Sequence, residues 1–373
     1  MRTWRDIEAA SDEQILAWAK DQVWALAMAR CQQDAEWHAE GDVWTHTALV
    51  CQQLLELDAW AELARREQLI LLFTALFHDS GKPATTMTDP DTGRVSSPTH
   101  ALRSLGIVRE ALTELGCNYA TREEIAMLVR FHGRPNFLLE KESPEDELIR
   151  LSWLLRHRLL SFFVLADTRG RDTESMDRPE DNLRLWQLVA EENGCFDQPY
   201  RFANDQARFL WFRGELSSLH YVPPEKFRCT VTLMSGLPGS GKDTWLERNR
   251  PELPVVALDD LRTELGIDPT GNQGEVVQLG RERCREQLRT GSDFAFNATN
   301  ITRQTRKKWI DLFADYGARV KIVYVEPPLT EIRRNNRQRK SPVPEEVISK
   351  LFRRLEPPTL TECHALELVV MEG

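Results

Sequence analysis

The chain has 373 residues, 41% of them hydrophobic and 28% charged, a composition ordinary for a folded globular protein and unlike that of a disordered one. That length exceeds what one hydrophobic core usually supports, so two domains are expected. A formal net charge of −10 argues against a protein that coats long stretches of nucleic acid, yet leaves room for one that grips only an end.

The opening text, M-R-T-W-R-D-I-E-A-A-S-D-E-Q, is acidic rather than a basic leader before an apolar stretch, so no signal peptide is expected. The longest strongly apolar run, 69–77, is too short to span a bilayer, and a cytoplasmic chain with no membrane partner is the expectation. Seven cysteines (Cys31, Cys51, Cys117, Cys195, Cys229, Cys284, Cys363), odd in number and without a C-x-x-C pair, read as free thiols of a reducing compartment.

Ser11 followed by Gln14 reads as a capping box. It would open one helix whose residues Ile15, Leu16, Trp18, Ala19, Val23, Trp24, Leu26 and Ala27 make a broad apolar face. Six of the eleven tryptophans precede residue 61, and packing between helices is their expected use.

From Gly41 the polar residues become specific. G-D-V-W-T-H46-T precedes a helical pattern, and the apolar run 69–77 ends directly in H78-D79-S-G-K82-P. S-P-T-H100, L-V-R-F-H132-G-R-P and L-A-D167-T-R-G-R follow, each on or after an apolar helical segment, so all can project into one helical core. Imidazole and carboxylate ligands suit divalent metals such as Mn²⁺, Co²⁺, Ni²⁺, Zn²⁺ or Fe²⁺. His46, His78, Asp79 and Asp167 form one candidate set, and His100 and His132 can hold a second ion beside Asp79. The adjacent His78–Asp79 pair weighs most, because an unpaired aspartate after F-T-A-L-F would be costly to bury. His38, His157, His220 and His364 lack such partners and are read as structural or surface residues.

This series resembles the HD phosphohydrolase superfamily, and its wording is most similar to the HD domain carried by bacterial tRNA nucleotidyltransferases. The resemblance spans about 40–175. It implies an all-helical domain with metal-dependent phosphoesterase activity, including on 2′,3′-cyclic and 2′ phosphates, in which ions activate water. Lys82, Arg169 and Arg171 are then the candidate cations for the substrate phosphate.

Past Asp167 the text turns charged and irregular, regains helical spacing at Leu183, Leu185, Trp186 and Leu188, and breaks at E-E-N-G-C-F-D-Q-P-Y. The expected organisation is an all-α domain over 1–195, a connecting helical segment over 196–228, and an α/β domain with a mainly parallel sheet over 229–373. In the last, apolar runs at 229–234, 254–258, 293–296, 320–325 and 366–371 alternate with helical segments starting near 242, 275, 303, 330 and 344. Ligands of such folds sit at the carboxyl ends of the strands.

The first of these ends carries V-T-L-M-S-G-L-P-G-S-G-K-D-T-W. A strand, a glycine-rich loop and a helix start present backbone N–H groups to phosphates, so Gly236, Pro238, Gly239, Ser240, Gly241, Lys242, Asp243 and Thr244 are read as a nucleotide-binding P-loop. Asp243 stands where a hydroxyl normally touches Mg²⁺. After the run at 254–258 comes D259-D260-L-R262: an aspartate able to accept the proton of an attacking hydroxyl and an arginine able to grip a neighbouring phosphate, or else simple helix capping by Asp259 and Asp260. After 293–296, Asn297 occupies a place where P-loop enzymes often carry an acid, as though one carboxylate had crossed the site to Asp243. The segment R-R-N-N-R-Q-R-K at 333–340 carries five basic residues, and on a helix Arg333 or Arg334 shares a face with Arg337, as in a lid over the γ-phosphate.

Together, G-L-P-G-S-G-K-D-T-W, L-D-D-L-R, N-A-T-N and R-N-N-R-Q-R-K-S-P-V-P resemble the 5′-hydroxyl polynucleotide kinase family over about 229–355. The resemblance implies that Lys242 contacts phosphate, Asp259 is the general base, Arg262 binds the acceptor's phosphate, and Arg334 and Arg337 are lid arginines. An HD domain ahead of such a kinase is similar to the bacterial bifunctional HD-domain polynucleotide kinases. It implies ATP or another NTP with Mg²⁺, RNA or DNA ends as substrates, and a nucleic-acid ligase acting downstream. A small-molecule kinase fused to a nucleotide-hydrolysing HD domain is the alternative, and a non-catalytic NTP-binding switch is a third reading.

Overall fold

The structure, a computed structural model, describes residues 1–34, 36, 38–171, 177–268, 271–339 and 341–370, without the side chains of 177–179. The expected roles of Trp37, the irregular stretch 172–176, Lys340 at the end of the basic segment and residue 371 of the last apolar run lie outside the described residues. Contacts divide the chain into two units, Met1–Arg201 and Phe202–Glu372. No helix among the described residues is long and apolar enough to cross a membrane, and all seven cysteines are free.

The first unit is built of helices around Arg65–Phe77. Every residue from Leu69 to Phe77 is buried there, so this helix is apolar on all sides and forms the centre of the core. The helices Val43–Leu55, His100–Glu114, Tyr119–Phe131 and His157–Arg169 lie against it. The early tryptophans serve as packing: Trp4 meets Phe73 at 5.0 Å between ring centroids, and Trp24 meets Phe77 at 4.3 Å.

The Ser11–Gln14 capping box is present, but the single helix expected after it is two. Asp12–Ala19 ends in a turn, extended Gln22 starts Val23–Met28, and the Gln22 amide donates to the Trp18 carbonyl. The break turns the second segment, so Ala25 and Met28 are buried while Val23 is 85% exposed.

The second unit holds a five-stranded sheet. In chain order, after the short hairpin β1 (Met87–Thr88) and β2 (Val95–Ser96) of the first unit, its strands are β3 (Thr230–Ser235), β4 (Val255–Ala257), β5 (Phe294–Asn297), β6 (Arg319–Glu326) and β7 (Ala365–Val370). They lie in the order β4-β5-β3-β6-β7, all parallel. Alternate residues serve opposite faces: Val231, Leu233, Val320 and Ile322 face one core, Met234, Val323 and Val325 the other. The helix Asp205–Arg213 belongs to this unit, with Arg208 donating to the carbonyls of Leu360, Cys363 and His364. β3 is central, so the loop at its carboxyl end has neighbours on both sides.

Candidate active sites

In the second unit, Gly236, Gly239 and Gly241 adopt φ of 148°, 80° and 95°. A Cβ on Gly236 would stand 2.5 Å from the Val325 carbonyl, and one on Gly239 2.9 Å from that of Ile332, so the loop closes only with glycine. The loop curls over Lys242, the first residue of the helix Lys242–Asn249, whose Nζ donates to the carbonyls of Gly236 (3.0 Å) and Leu237 (2.9 Å). Burial pushes the Lys242 ammonium down to about 8, against the pull of Asp243 and Asp259. Ser240 Oγ is buried without a hydrogen-bond partner. A groove of about 840 Å³ opens here, lined by Gly239 to Trp245 on one side and by Glu331, Asn335, Gln338 and Arg339 on the other.

The neighbouring strand ends complete the site. β4 stops at Ala257, one residue earlier than the sequence suggests, and Asp259 and Asp260 fall in the first turn of the helix Leu258–Glu264. Neither caps it; the N-cap is Ala257, with no side-chain bond. Arg262 Nη1 donates to Asp259 Oδ1 at 2.5 Å and its Nε to Gln273 at 2.9 Å, while Arg339 Nη2 lies 3.6 Å from Asp259 Oδ2. At the end of β5, Asn297 Nδ2 donates to Asp243 Oδ1. Asn300, held at φ 46°, donates to the Met234 carbonyl, so the N-A-T-N segment buttresses the loop from below.

The lid differs from expectation. Helix Leu329–Arg337 ends before the basic segment does. Arg333 pairs with Glu345, Arg334 lies 3.6 Å from Glu331, and neither Arg334 nor Arg337 lines the groove. Arg339, just past the helix, is the arginine of this segment that does, beside Arg248 of the helix Lys242–Asn249, and Asn335 donates to the Gly239 carbonyl at 3.2 Å.

In the first unit the helix ends bring six expected residues together. His46 Nε2 is 3.0 Å and His78 Nε2 3.7 Å from Asp167 Oδ1. His78 Nε2 is 3.1 Å from Asp79 Oδ2, and the Nε2 atoms of His100 and His132 are 3.3 and 4.0 Å from Asp79 Oδ1. Each carboxylate turns its other contacts to a cation: Lys82 Nζ reaches Asp79 Oδ2 at 2.7 Å, and Arg171 Nη2 reaches Asp167 Oδ2 at 2.6 Å. Arg169 instead pairs with Glu180 at the surface.

Burial alone would raise both aspartates, but His78 and Lys82 hold Asp79, and Arg171 and His46 hold Asp167, well below the usual carboxylate range. Burial pushes His132 down to about 3, so its ring is neutral.

The donor set fits a divalent metal. His78, His100 and His132 each set Nδ1 against a carbonyl three residues back, Ala75, Ser97 and Val129, all at 2.8 Å. A carbonyl only accepts, so in the neutral rings Nδ1 bears the proton and Nε2 offers a lone pair. His100 Nε2 and His132 Nε2 nonetheless stand 3.3 Å apart beside an anionic oxygen. Buried His78 Nε2 and Asp79 Oδ1 have no hydrogen-bond partner. Acceptors facing acceptors repel, and a cation between them relieves that.

Two neighbours escaped the sequence reading. His38, read there as lacking partners, sets Nδ1 2.8 Å from Glu40 Oε1, with its ring centroid 4.7 Å from that of His46. Glu40 Oε1 also lies 2.9 Å from His46 Nδ1. The signal was the acid two residues after His38 and six before His46. His157 and His364 are buried on Leu148 and on Gln206 with Val320, as structural residues.

Residues 231–358 match the family model described as an AAA domain. A CC-adding tRNA nucleotidyltransferase of Thermus thermophilus is 33% identical over 140 residues, 36% of this chain and 30% of that protein. The chain therefore spans under a third of the length of that relative. Among crystal structures, a sugar kinase from Janibacter sp. HTCC2649 is 17% identical over 38% of this chain and 84% of its own, with a TM-score of 0.30. A gluconokinase from Sinorhizobium meliloti 1021 is 17% identical over 39% and 84%, with a TM-score of 0.29. Residues 231–358 of the second unit are thus similar to the AAA domain family, with a P-loop sequence at the carboxyl end of the central strand of a parallel sheet.

Proposed function

We propose that the chain heals nucleic-acid ends from two sites. The second unit transfers the γ-phosphoryl of ATP or another NTP, with Mg²⁺, to a 5′-OH end of RNA or DNA. The first, an HD-type phosphoesterase, removes 2′,3′-cyclic, 2′ or 3′ phosphate. The products, 5′-phosphate and 3′-OH, are what a ligase acting downstream requires.

One observation carries the reading: Asp259 and Arg262 are held side by side next to the P-loop groove. An aspartate there takes the proton of an attacking hydroxyl, and a guanidinium beside it grips a phosphate. That pair calls for an acceptor with a hydroxyl and a phosphate close together, as at the 5′ end of a polynucleotide. The relative named for tRNA points to nucleic acid as well.

In the first unit, His46, His78, Asp79 and Asp167, with His100 and His132 beside Asp79, would hold the divalent metal. When bound, such an ion acidifies water and polarises a phosphoryl oxygen. Lys82 and Arg171 place positive charge beside the carboxylates, where a substrate phosphate would draw it.

The test uses a 5′-OH oligonucleotide with labelled NTP, small alcohols as rival acceptors, and an oligonucleotide ending in 2′,3′-cyclic phosphate with Mn²⁺, Co²⁺, Ni²⁺ and Zn²⁺ in turn. Label should enter the oligonucleotide, and the cyclic end should open and be lost. Lys242→Ala should abolish only transfer, and His78→Ala or Asp79→Ala only hydrolysis. Label entering small alcohols alone would replace this reading with a small-molecule kinase.

A further inference from the structure

We propose that Glu40 is a positioning residue for the metal centre, its carboxylate setting which nitrogen of His46 faces the ion. The inference rests on the metal-centre reading of the first unit.

The other three histidines of the centre share one device, an Nδ1 anchored on the carbonyl three residues back. All three stand at helix boundaries: His78 and His132 close their helices and His100 opens one. His46 is different. It lies inside the first turns of Val43–Leu55, where the preceding carbonyls are taken by the helical ladder. Its ring presents Nε2 to Asp167 at 3.0 Å, and its Nδ1 meets a side chain, Glu40 Oε1, at 2.9 Å. The contact is close and charged, though too bent for a straight hydrogen bond.

The local sequence builds this contact. Gly41 at φ 107° turns the chain so that Asp42 caps the helix, accepting from the N–H groups of Trp44 and Thr45, while Glu40 folds back over the same first turn. The Glu40 side chain is 3% exposed, and the same oxygen accepts from His38. A carboxylate so deeply buried needs partners: His38 Nδ1 hydrogen-bonds it, and His46 Nδ1 stands against the same oxygen. A carboxylate behind a ligating histidine fixes the ring's tautomer and strengthens its donor nitrogen, and losing such a partner weakens metal binding about tenfold to a hundredfold.

The test titrates the metal-free full chain with Mn²⁺ by calorimetry, and with Co²⁺ by visible absorbance, for the native protein, Glu40→Ala and Glu40→Gln. Glu40→Gln keeps an acceptor oxygen in place and guards against misfolding. The expected result is about tenfold to hundredfold weaker binding in Glu40→Ala, an intermediate loss in Glu40→Gln, and an altered Co²⁺ spectrum. Metal-free melting of Glu40→Gln should match the native protein. Native affinity in Glu40→Ala would overturn the inference, as would equal losses in both variants accompanied by lower metal-free melting. Absence of Mn²⁺ and Co²⁺ binding by the native protein would instead sink the metal-centre reading, and this inference with it.

Discussion

Asn297 donates its side-chain amide to the Asp243 carboxylate, Nδ2 to Oδ1 at 2.5 Å, joining the end of β5 to the first turn of the helix that follows the P-loop. The two residues hold the places where a strand-end acid and a loop hydroxyl usually share the metal of a bound nucleotide. Here the acid is on the helix and the amide on the strand, yet they still touch, so the pair still offers one carboxylate to an ion at that spot.

The pair should therefore act as a unit. Asp243→Ala is expected to raise the Mg²⁺ concentration needed for half-maximal phosphoryl transfer by about tenfold or more, since a removed ligand or its partner commonly costs that much. Moving the acid back, Asp243→Thr with Asn297→Asp, should recover much of the loss that Asp243→Thr alone produces. Additive losses in the double variant, measured as kcat against Mg²⁺, would show that the two positions do not share an ion.

Lys242 gives a pH dependence with a definite sign. Burial lowers its pKa to about 8, so above that pH the empty cradle holds a neutral amine. A triphosphate prefers the ammonium, so binding takes up a proton there, and affinity should fall by roughly tenfold for each pH unit above about 8. Calorimetric titration of ATP from pH 7 to 9.5, in two buffers of different ionisation heat, reads both the affinity and the proton uptake. A flat profile would mean that the lysine stays charged without its ligand.

The convergence of these histidines and aspartates was legible where an apolar helical run meets a polar residue, a junction that burial makes costly without a partner. His78 and Asp79 after Leu69–Phe77 show it most plainly. The strand order β4-β5-β3-β6-β7 was not legible, since alternation fixes a parallel sheet but not which strands are neighbours. Glu40 was missed because its approach to His46 depends on the positive φ of Gly41, and spacing along a chain says nothing of a fold-back. Arg339 was missed for a related reason. Counting faces around a helix places Arg334 and Arg337 correctly relative to each other, but the helix stops at Arg337, and the residue that reaches the groove lies beyond it.

Gly81 lies in the turn between Asp79 and Lys82 with φ within the ordinary range, so its need for glycine is steric. A Cβ there would stand 2.3 Å from the His100 carbonyl and 2.7 Å from the Ser104 amide nitrogen, both backbone atoms that cannot step aside. Gly81→Ala should push the start of His100–Glu114 outward and destabilise the first unit by about 1–3 kcal/mol. It should weaken metal binding with it, since His100 moves away from Asp79. Thermal melting with and without Mn²⁺ reads both effects, and unchanged melting would show that the turn has slack.

Arg339 is expected to matter more to phosphoryl transfer than the two arginines before it. It lines the P-loop groove, stands 3.6 Å from Asp259, and adds positive charge where Lys242 is buried, whereas Arg334 is exposed beside Glu331 and Arg337 is exposed at the helix end. A guanidinium placed to meet charge developing on a transferred phosphoryl group commonly contributes about a hundredfold or more to kcat. Arg339→Ala should lower kcat by that order, and Arg334→Ala and Arg337→Ala by less than about tenfold. Arg339→Lys should restore little, because a single ammonium cannot span Asp259 and a phosphate as a guanidinium does. Equal losses in all three alanine variants would mean that the segment closes as a lid on nucleotide binding and brings the helix arginines in as well.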